Sequence, residues 1–323
     1  MKNAGKKHKP KTRRVKPGVS QTRHAHKPGK ERMGSEPRRR YFVHDGLRLH
    51  YWEWGDPIEE TYVFVHGSRD QGRSWDHFLA AMIARGLPIK HAVALDLRGH
   101  GDSDWPSTAR GYQHEDFLSD LAGLLKHLEK ETVTIIGHSL GGSMCLLYAA
   151  AFPEKVKRLV LLESLGPFAR KDDEVPDIVA ERLKGRDYVE IPFPHESLEA
   201  AAKSLQKTFP LIPDHAALHM ARYGTSYKGG RYRWKHDPIL RYRTTTVMSE
   251  GQVEAFIRRL KSPILFVYGS ESDFIKSVRG PRVKLFPNAE IVPVQGAGHH
   301  IPHEKPEELA EVVVPFLMGN HND

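Results

Sequence analysis

The sequence Thr132-Val133-Thr134-Ile135-Ile136-Gly137-His138-Ser139-Leu140-Gly141 predicts the centre of the fold. An apolar, β-branched run leads into a G-x-S-x-G pentapeptide, and helix-compatible residues follow over 143–151. A serine in such a strand–turn–helix is held in a strained backbone conformation that lifts its hydroxyl off the sheet edge, and the flanking glycines let strand and helix approach closely. The context predicts that Ser139 is a nucleophile, whereas the pentapeptide alone is equally typical of a serine that caps the next helix.

Strand and helix patterns alternate on both sides of this stretch. Short apolar runs predict a strand pair, 41–45 and 47–54, joined at Gly46. Further strands are predicted at 62–65, 92–95, 133–136, 159–162, 264–268 and 291–294. Helical spacing of apolar residues is found at 74–85, 115–130 and 306–318. Strands that alternate with helices indicate an α/β fold, which we predict to hold a mostly parallel eight-stranded sheet covered on both faces.

The alternation stops between Gly166 and about Val253, which indicates an insertion. Helical patches and a polar loop occupy this segment, at 178–183, 197–209, 215–223 and 224–230. An insertion after the sixth strand lies over the carboxyl ends of the strands, where ligands bind in open parallel sheets. We therefore predict a core of residues 41–167 and 251–323 under a helical cap of residues 168–250; the alternative is a helical excursion that makes no substrate contact.

The first forty residues differ in composition from the rest. Residues 1–40 carry fifteen Lys or Arg and two acidic residues, a net +13, whereas the whole 323-residue chain carries +9, so the remainder is mildly acidic. Few large apolar residues and four prolines occur there, so burial cannot offset the entropy of ordering it. We predict a disordered basic tail; weak binding to acidic surfaces or nucleic acid is a second interpretation.

Several classes of protein are disfavoured by composition. A single cysteine, Cys145, excludes internal disulfides. The tail lacks the apolar centre of a signal peptide and no run of eighteen apolar residues occurs, so we expect a cytoplasmic protein without a membrane span. Twenty histidines are present, but none shows an H-E-x-x-H or comparable ligand spacing. We expect neither a catalytic metal nor a cofactor.

A nucleophilic Ser139 needs an imidazole that takes its proton as it attacks. His299 is the candidate base, because it follows the last predicted strand in a Gly296-Ala297-Gly298 loop that can carry the ring back toward the strand ends. His300 and His303 are the competitors, which we interpret as loop-packing or mouth residues.

The third member of such a site is a carboxylate that orients the imidazole. Asp273, after the strand that ends at Tyr268, is the predicted residue. Glu271 and Glu163 compete for this role, since Glu163 ends the strand that follows the nucleophile helix and could also reach the histidine.

An anionic tetrahedral intermediate requires two N–H donors, one from the residue after the nucleophile and one from the loop after the third strand. These positions are Leu140 and Ser68, and Gly67 permits the second backbone to turn its amide inward.

These residues together resemble the α/β-hydrolase superfamily. The resemblance is carried by His66-Gly67, residues 96–103 and 137–142, Asp273 and Gly298-His299, and it spans about residues 41–320. It implies an ester-cleaving Ser–acid–His triad beneath a helical lid. Residues 66–70, 75–76 and 232–238 resemble serine-hydrolase-like members, whose substrates are mostly unassigned.

The residue at the nucleophile position narrows the expected chemistry. Epoxide hydrolases and haloalkane dehalogenases of this fold use aspartate where this chain has Ser139, so we expect hydrolysis of a small or medium-sized ester through an acyl-enzyme. Carbon–carbon bond hydrolysis, cofactor-free perhydrolysis and a non-catalytic ligand-binding or scaffold role are the alternatives. Arg69, Trp75 and Trp234 are the predicted substrate-binding residues, although packing or ion pairing accounts for each equally well.

Overall fold

The computed structural model describes residues 36–57, 60–107, 111–184, 193–241, 247–273, 280–286 and 289–319. Most of the predicted basic tail, residues 1–35, therefore lies outside the described residues. The first strand begins at Arg38, so the predicted tail boundary at residue 40 is wrong. Arg38 and Arg40 pair with Glu53 on the neighbouring strand, and this contact draws the end of the basic segment into the sheet.

The described residues form an alternating series of strands and helices. The strands are β1 (Arg38–His44), β2 (Leu47–Gly55), β3 (Thr61–Val65), β4 (His91–Asp96), β5 (Val133–His138), β6 (Val156–Leu162), β7 (Ala169–Arg170), β8 (Thr225–Lys228), β9 (Arg231–Trp234), β10 (Met248–Ser249), β11 (Ile264–Gly269) and β12 (Ala289–Val294). The α-helices are α1 (Asp76–Ala84), α2 (His114–His127), α3 (Leu140–Ala151), α4 (Val175–Lys184), α5 (Leu198–Thr208), α6 (Asp214–Gly224), α7 (Glu250–Ile257), α8 (Ile301–Glu304) and α9 (Pro306–Met318). Within these described ranges, no helix combines the length and the apolar character needed to cross a membrane.

Eight of the strands form one sheet, in the order β1-β2-β4-β3-β5-β6-β11-β12. β2 runs antiparallel to both β1 and β4, and the other neighbours pair in parallel. One face packs against α2, α3 and α7 through residues such as Leu121, Leu146 and Ile257, and the other against α1 and α9 through Phe78 and Val313. The predicted fold class, a mostly parallel eight-stranded α/β sheet flanked by helices, is confirmed.

The segment between β6 and α7, called here the insertion, interrupts the sheet. Helices α4, α5 and α6 occur at the predicted helical patches. The predicted polar loop 224–230 is instead partly β8, which forms a hairpin with β9; Gly229 and Gly230 supply the positive φ values, 61° and 74°, that a two-residue turn requires. Helices α5 and α6 bury a small cluster of their own around Ala201, Ala217 and Met220.

Candidate active site

The turn between β5 and α3 holds Ser139 in a strained conformation. Its φ of 51° and ψ of −113° are unusual for a residue with a side chain. The Ser139 amide donates to the Leu162 carbonyl at 2.9 Å. A Cβ atom at Gly141 would overlap the carbonyl oxygens of Val65 and His66, so only glycine allows α3 to start this close to β3. The strand–turn–helix predicted around Ser139 is the one observed.

His299 reaches Ser139 from the loop between β12 and α8. Its Nε2 atom lies 3.1 Å from the Ser139 Oγ atom. The loop is fixed on both sides of this residue: His138 donates from Nε2 to the His299 carbonyl at 2.7 Å, and the amides of Gly298 and His300 donate to the Glu304 carboxyl group. The structure thus brings together the predicted nucleophile and the predicted base.

The carboxylate at Nδ1 of His299 belongs to Glu163. Its Oε2 atom lies 3.0 Å from Nδ1 and accepts from the Ser272 hydroxyl at 2.6 Å, while Oε1 accepts from the Gly269 amide at 2.7 Å. The Glu163 side chain is fully buried. Its two oxygens are therefore fixed by three donors, one of which is the imidazole.

The prediction that Asp273 orients the imidazole is corrected by this geometry. Glu163 directly follows β6, the strand adjacent to β5, and its φ of 54° belongs to the sharp turn that starts there. Asp273 follows β11, one strand further from Ser139, and its side chain is exposed. The sequence offers an acidic residue after each of two apolar strands, and only Glu163 follows its strand directly, whereas Asp273 comes four residues after the end of β11.

The two predicted oxyanion donors flank the nucleophile. Leu140 is the first residue of α3, and a Cβ atom on Gly67 would lie 3.3 Å from the Ser139 Cβ atom, so the backbone that leads to Ser68 passes beside Ser139. In the part of the chain that the structure describes, neither the Ser68 amide nor the Leu140 amide donates to a protein acceptor. Both N–H groups are available to a ligand oxygen.

A cavity of about 130 Å³ lies between the core and the insertion. Its walls include Ser68, Arg69 and His300 from the core and Leu205, Met220 and Trp234 from the insertion. Arg69 and Trp234 therefore line a cavity, as predicted substrate-binding residues would.

Trp75 is a different case. Its side chain is 1% exposed and its ring packs 5.2 Å from that of Phe64 and 6.2 Å from that of Phe78, between centroids. The predicted substrate-binding role of Trp75 is wrong, because the short 3₁₀ turn before α1 directs this large apolar side chain into the core.

Burial and neighbouring side chains shift the pKa values of three groups around His299. Burial and the neighbouring His299 lower the pKa of His138 to about 3, and burial holds the pKa of His300 well below its ordinary value. Burial raises the pKa of Asp70, but the adjacent His303 outweighs this effect and holds it below its usual range. Two of the imidazoles beside His299 are therefore neutral at neutral pH.

Comparison with known proteins agrees with this fold. The model of the alpha/beta hydrolase family matches residues 62–312, and the chain belongs to that family. It is 27% identical over 269 residues to the sn-1-specific diacylglycerol lipase of Mus musculus, covering 81% of this chain and 82% of that protein. It is also 27% identical over 256 residues to the 2-(acetamidomethylene)succinate hydrolase of Mesorhizobium japonicum, covering 79% of this chain and 87% of that protein.

Among solved structures, the thioesterase domain from the curacin biosynthetic pathway superimposes with a TM-score of 0.73 at 22% identity, over 87% of this chain and all of that one. This likeness shows a shared fold. Family membership and the hydrolase names of the relatives support a hydrolase.

Proposed function

We propose that the protein is a serine hydrolase that cleaves carboxylic esters of small or medium-sized molecules through an acyl-enzyme on Ser139. The observation that supports it is the hydrogen-bonded chain from the Ser139 hydroxyl through both nitrogens of His299 to the buried Glu163 carboxylate. A nucleophile, a base and an orienting acid in this order meet the geometric requirement of acyl transfer.

In the acylation step, the Ser139 oxygen attacks the ester carbonyl carbon while Nε2 of His299 takes the hydroxyl proton. The negative charge that develops on the carbonyl oxygen is stabilised by the amides of Ser68 and Leu140. Glu163 stabilises the imidazolium through Nδ1, and the imidazolium then returns its proton to the leaving alcohol oxygen as the ester bond breaks.

In the deacylation step, a water molecule takes the place of the alcohol. His299 removes a proton from the water as its oxygen attacks the acyl carbon, and a second tetrahedral intermediate forms at the same two amides. Collapse of this intermediate releases the carboxylic acid, and the proton on His299 returns to the Ser139 oxygen.

The cavity supports a substrate of limited size. Its volume is about 130 Å³, and the insertion contributes apolar side chains such as Leu205 and Met220 to one wall. Ser139 and His299 are not among the residues that line it, so the cavity adjoins the nucleophile through Ser68. Ser68 lies in the opposite wall, so a carbonyl near its amide would direct an acyl or alcohol group toward the insertion. In this proposal, α5 and α6 act as the cap over the substrate.

The test is covalent labelling with a fluorophosphonate, with the adduct located by mass spectrometry. We expect one adduct on Ser139 in the full chain, none in Ser139→Ala, and an unchanged adduct in Ser226→Ala, which removes an exposed hydroxyl on β8. A truncation of residues 1–35 should also be labelled; it leaves Arg38 to Arg40 in β1, whereas removal of forty residues would cut into the sheet.

Turnover then tests the substrate class. We expect p-nitrophenyl acetate and butyrate to be hydrolysed faster than the long-chain laurate and palmitate esters. A folded chain that takes no adduct contradicts the proposed mechanism, and faster turnover of the long-chain esters contradicts the proposed substrate size.

A further inference from the structure

Three side chains that can bind a metal ion lie close together, beside the Ser139–His299 pair. Asp70 lies in the loop after β3, and His300 and His303 lie at the start of α8 and within it. One ligand atom from each falls within 4.8 Å of the other two, and all three residues are buried. Because 233 residues separate Asp70 from His303, no ligand spacing in the sequence marks this group.

Hydrogen bonds account for the burial of Asp70 and His303 but not for that of His300. Nε2 of His303 lies 3.2 Å from Oδ2 of Asp70, and Oδ1 of Asp70 accepts from the Gln71 amide and the Ser74 hydroxyl. Among the described residues, neither ring nitrogen of His300 has a hydrogen-bond partner, although the residue is only 7% exposed. A buried imidazole without a partner is costly, and it is explained if the ring binds something else.

The cavity provides a route to this group. Asp70 and His300 both lie in its wall. An ion that enters the cavity therefore meets an imidazole and a carboxylate of the group, whereas His303 is not among the residues that line the cavity.

The donor set and spacing fit a first-row divalent cation. Two imidazoles and one carboxylate are suitable ligands for Zn²⁺ and other first-row divalent metal ions. Zn²⁺ binds such ligands at about 2.0–2.1 Å, so the ligand atoms of a tetrahedral site are about 3.3 Å apart. The Asp70–His303 separation of 3.2 Å already meets this spacing. The three ligand atoms lie within 4.8 Å of one another, so the His300 ring moves inward to complete a three-ligand site with its fourth position toward the cavity.

We propose that Asp70, His300 and His303 bind a divalent transition-metal ion such as Zn²⁺, and that the bound ion inhibits the active site. Inhibition follows for two reasons. His300 is the next residue after His299 in the chain, so an ion that moves the His300 ring also displaces the His299 ring. The ion also occupies part of the cavity wall. The inhibition rests on the proposed hydrolase function, whereas the binding does not.

Binding is tested on the full chain with Co²⁺ absorption spectra and Zn²⁺ calorimetry. We expect one tight site with four-coordinate Co²⁺ bands in the wild type and in Ser139→Ala. The variants His300→Ala and Asp70→Asn each remove a ligand, and affinity should fall by more than the ~10–100-fold typical of losing a supporting residue. His215→Ala is the matched control: it removes an exposed histidine on α6 whose ring lies 5.4 Å from that of His77, between centroids, and it should bind as the wild type does.

Circular dichroism confirms that each variant is folded. Equal Zn²⁺ affinity in the wild type and folded His300→Ala overturns the proposal, as does a six-coordinate Co²⁺ spectrum that no variant changes. Loss of binding in His215→Ala alone assigns the ion to the surface histidines and overturns it as well.

The inhibitory effect is measured as the rate of fluorophosphonate labelling. Saturating Zn²⁺ should slow labelling of Ser139 by about tenfold or more, the factor typical of a disturbed site, and EDTA should restore it. Labelling that is unchanged with the ion bound overturns the inhibition. A chain that binds Zn²⁺ but takes no label without the metal overturns the hydrolase function and leaves the binding site standing.

Discussion

Oε2 of Glu163 lies 3.0 Å from Nδ1 of His299, although 136 residues separate the two along the chain. The same carboxylate accepts from the Gly269 amide and the Ser272 hydroxyl. A carboxylate fixed by two other donors holds the imidazole in the tautomer that leaves Nε2 free to accept a proton from Ser139.

Replacement of this carboxylate by an amide is therefore expected to disable the site. In Glu163→Gln the amide nitrogen can face Nδ1 and favour the wrong tautomer, so kcat/KM should fall by about 10³–10⁴-fold, as for the corresponding change in serine proteases. Asp273→Asn, which alters an exposed side chain, should change it little. Steady-state kinetics on p-nitrophenyl acetate compare the two, and a large loss confined to Asp273→Asn would restore the sequence-based assignment.

The close approach of α3 to β3 should depend on Gly141. In Gly141→Ala the new Cβ atom meets the backbone carbonyl oxygens of Val65 and His66, which cannot move aside as a side chain would. We expect a loss of about 1–3 kcal/mol in the free energy of unfolding, together with a loss of Ser139 labelling.

Gly251→Ala is the matched control for this change. It adds the same atom to α7, where the nearest heavy atom, the Ser249 hydroxyl oxygen, is 4.0 Å away, and it should be neutral or stabilising by up to about 1 kcal/mol. Urea unfolding measures both variants, and equal effects would contradict the packing argument.

A buried ion pair fixes the turn after β4. Nε and Nη2 of Arg98 donate to the two Asp120 oxygens at 2.9 and 2.6 Å, and the side chains are 5% and 0% exposed. Asp120→Ala leaves this guanidinium with weaker contacts, such as Asp116 at 3.4 Å, so the free energy of unfolding should fall by about 3 kcal/mol.

The exposed i,i+4 pair of Glu254 and Arg258 provides the comparison. Glu254→Ala should cost less than about 0.5 kcal/mol. Chemical denaturation at pH 7 measures both variants, and similar losses would show that burial does not set the strength of these pairs.

The contribution of Glu53 to the free energy of unfolding should depend on pH. Burial raises its pKa, but hydrogen bonds from His91 and Arg40 and the charges of Arg40 and Arg38 outweigh this effect and lower the pKa to about 2. Because the unfolded chain binds this proton more tightly, the stabilisation is complete above about pH 4.5 and is lost as the pH falls toward 2.

The wild type should accordingly be more stable than Glu53→Gln at pH 7, with the difference shrinking between pH 4.5 and 2. Urea unfolding at pH 7, 5, 4 and 3 measures this difference. A gap that is constant over the whole range would contradict a lowered pKa. Glu254→Gln, on the exposed pair, is the control and should show little pH-dependent difference.

Features carried by adjacent residues could be predicted from the sequence. The strained turn at Ser139 follows from its glycines and from the apolar strand before it, and the hairpin between β1 and β2 follows from Asp45 and Gly46, both of positive φ. The predictions of the tail boundary and of a loop at 224–230 fail because pairing with a neighbouring strand, and not local composition, orders Arg38 and β8.

The fold class, the nucleophile turn and the position of the histidine loop follow from the amino-acid sequence alone, since each depends on residues that are neighbours in the chain. Three contacts follow only from the folded chain: Glu163 meets His299, Trp75 lies in the core, and Asp70 lies beside His300 and His303. These contacts depend on which strands are adjacent and how their connecting loops pack, and strand order is set by the burial of the whole sheet.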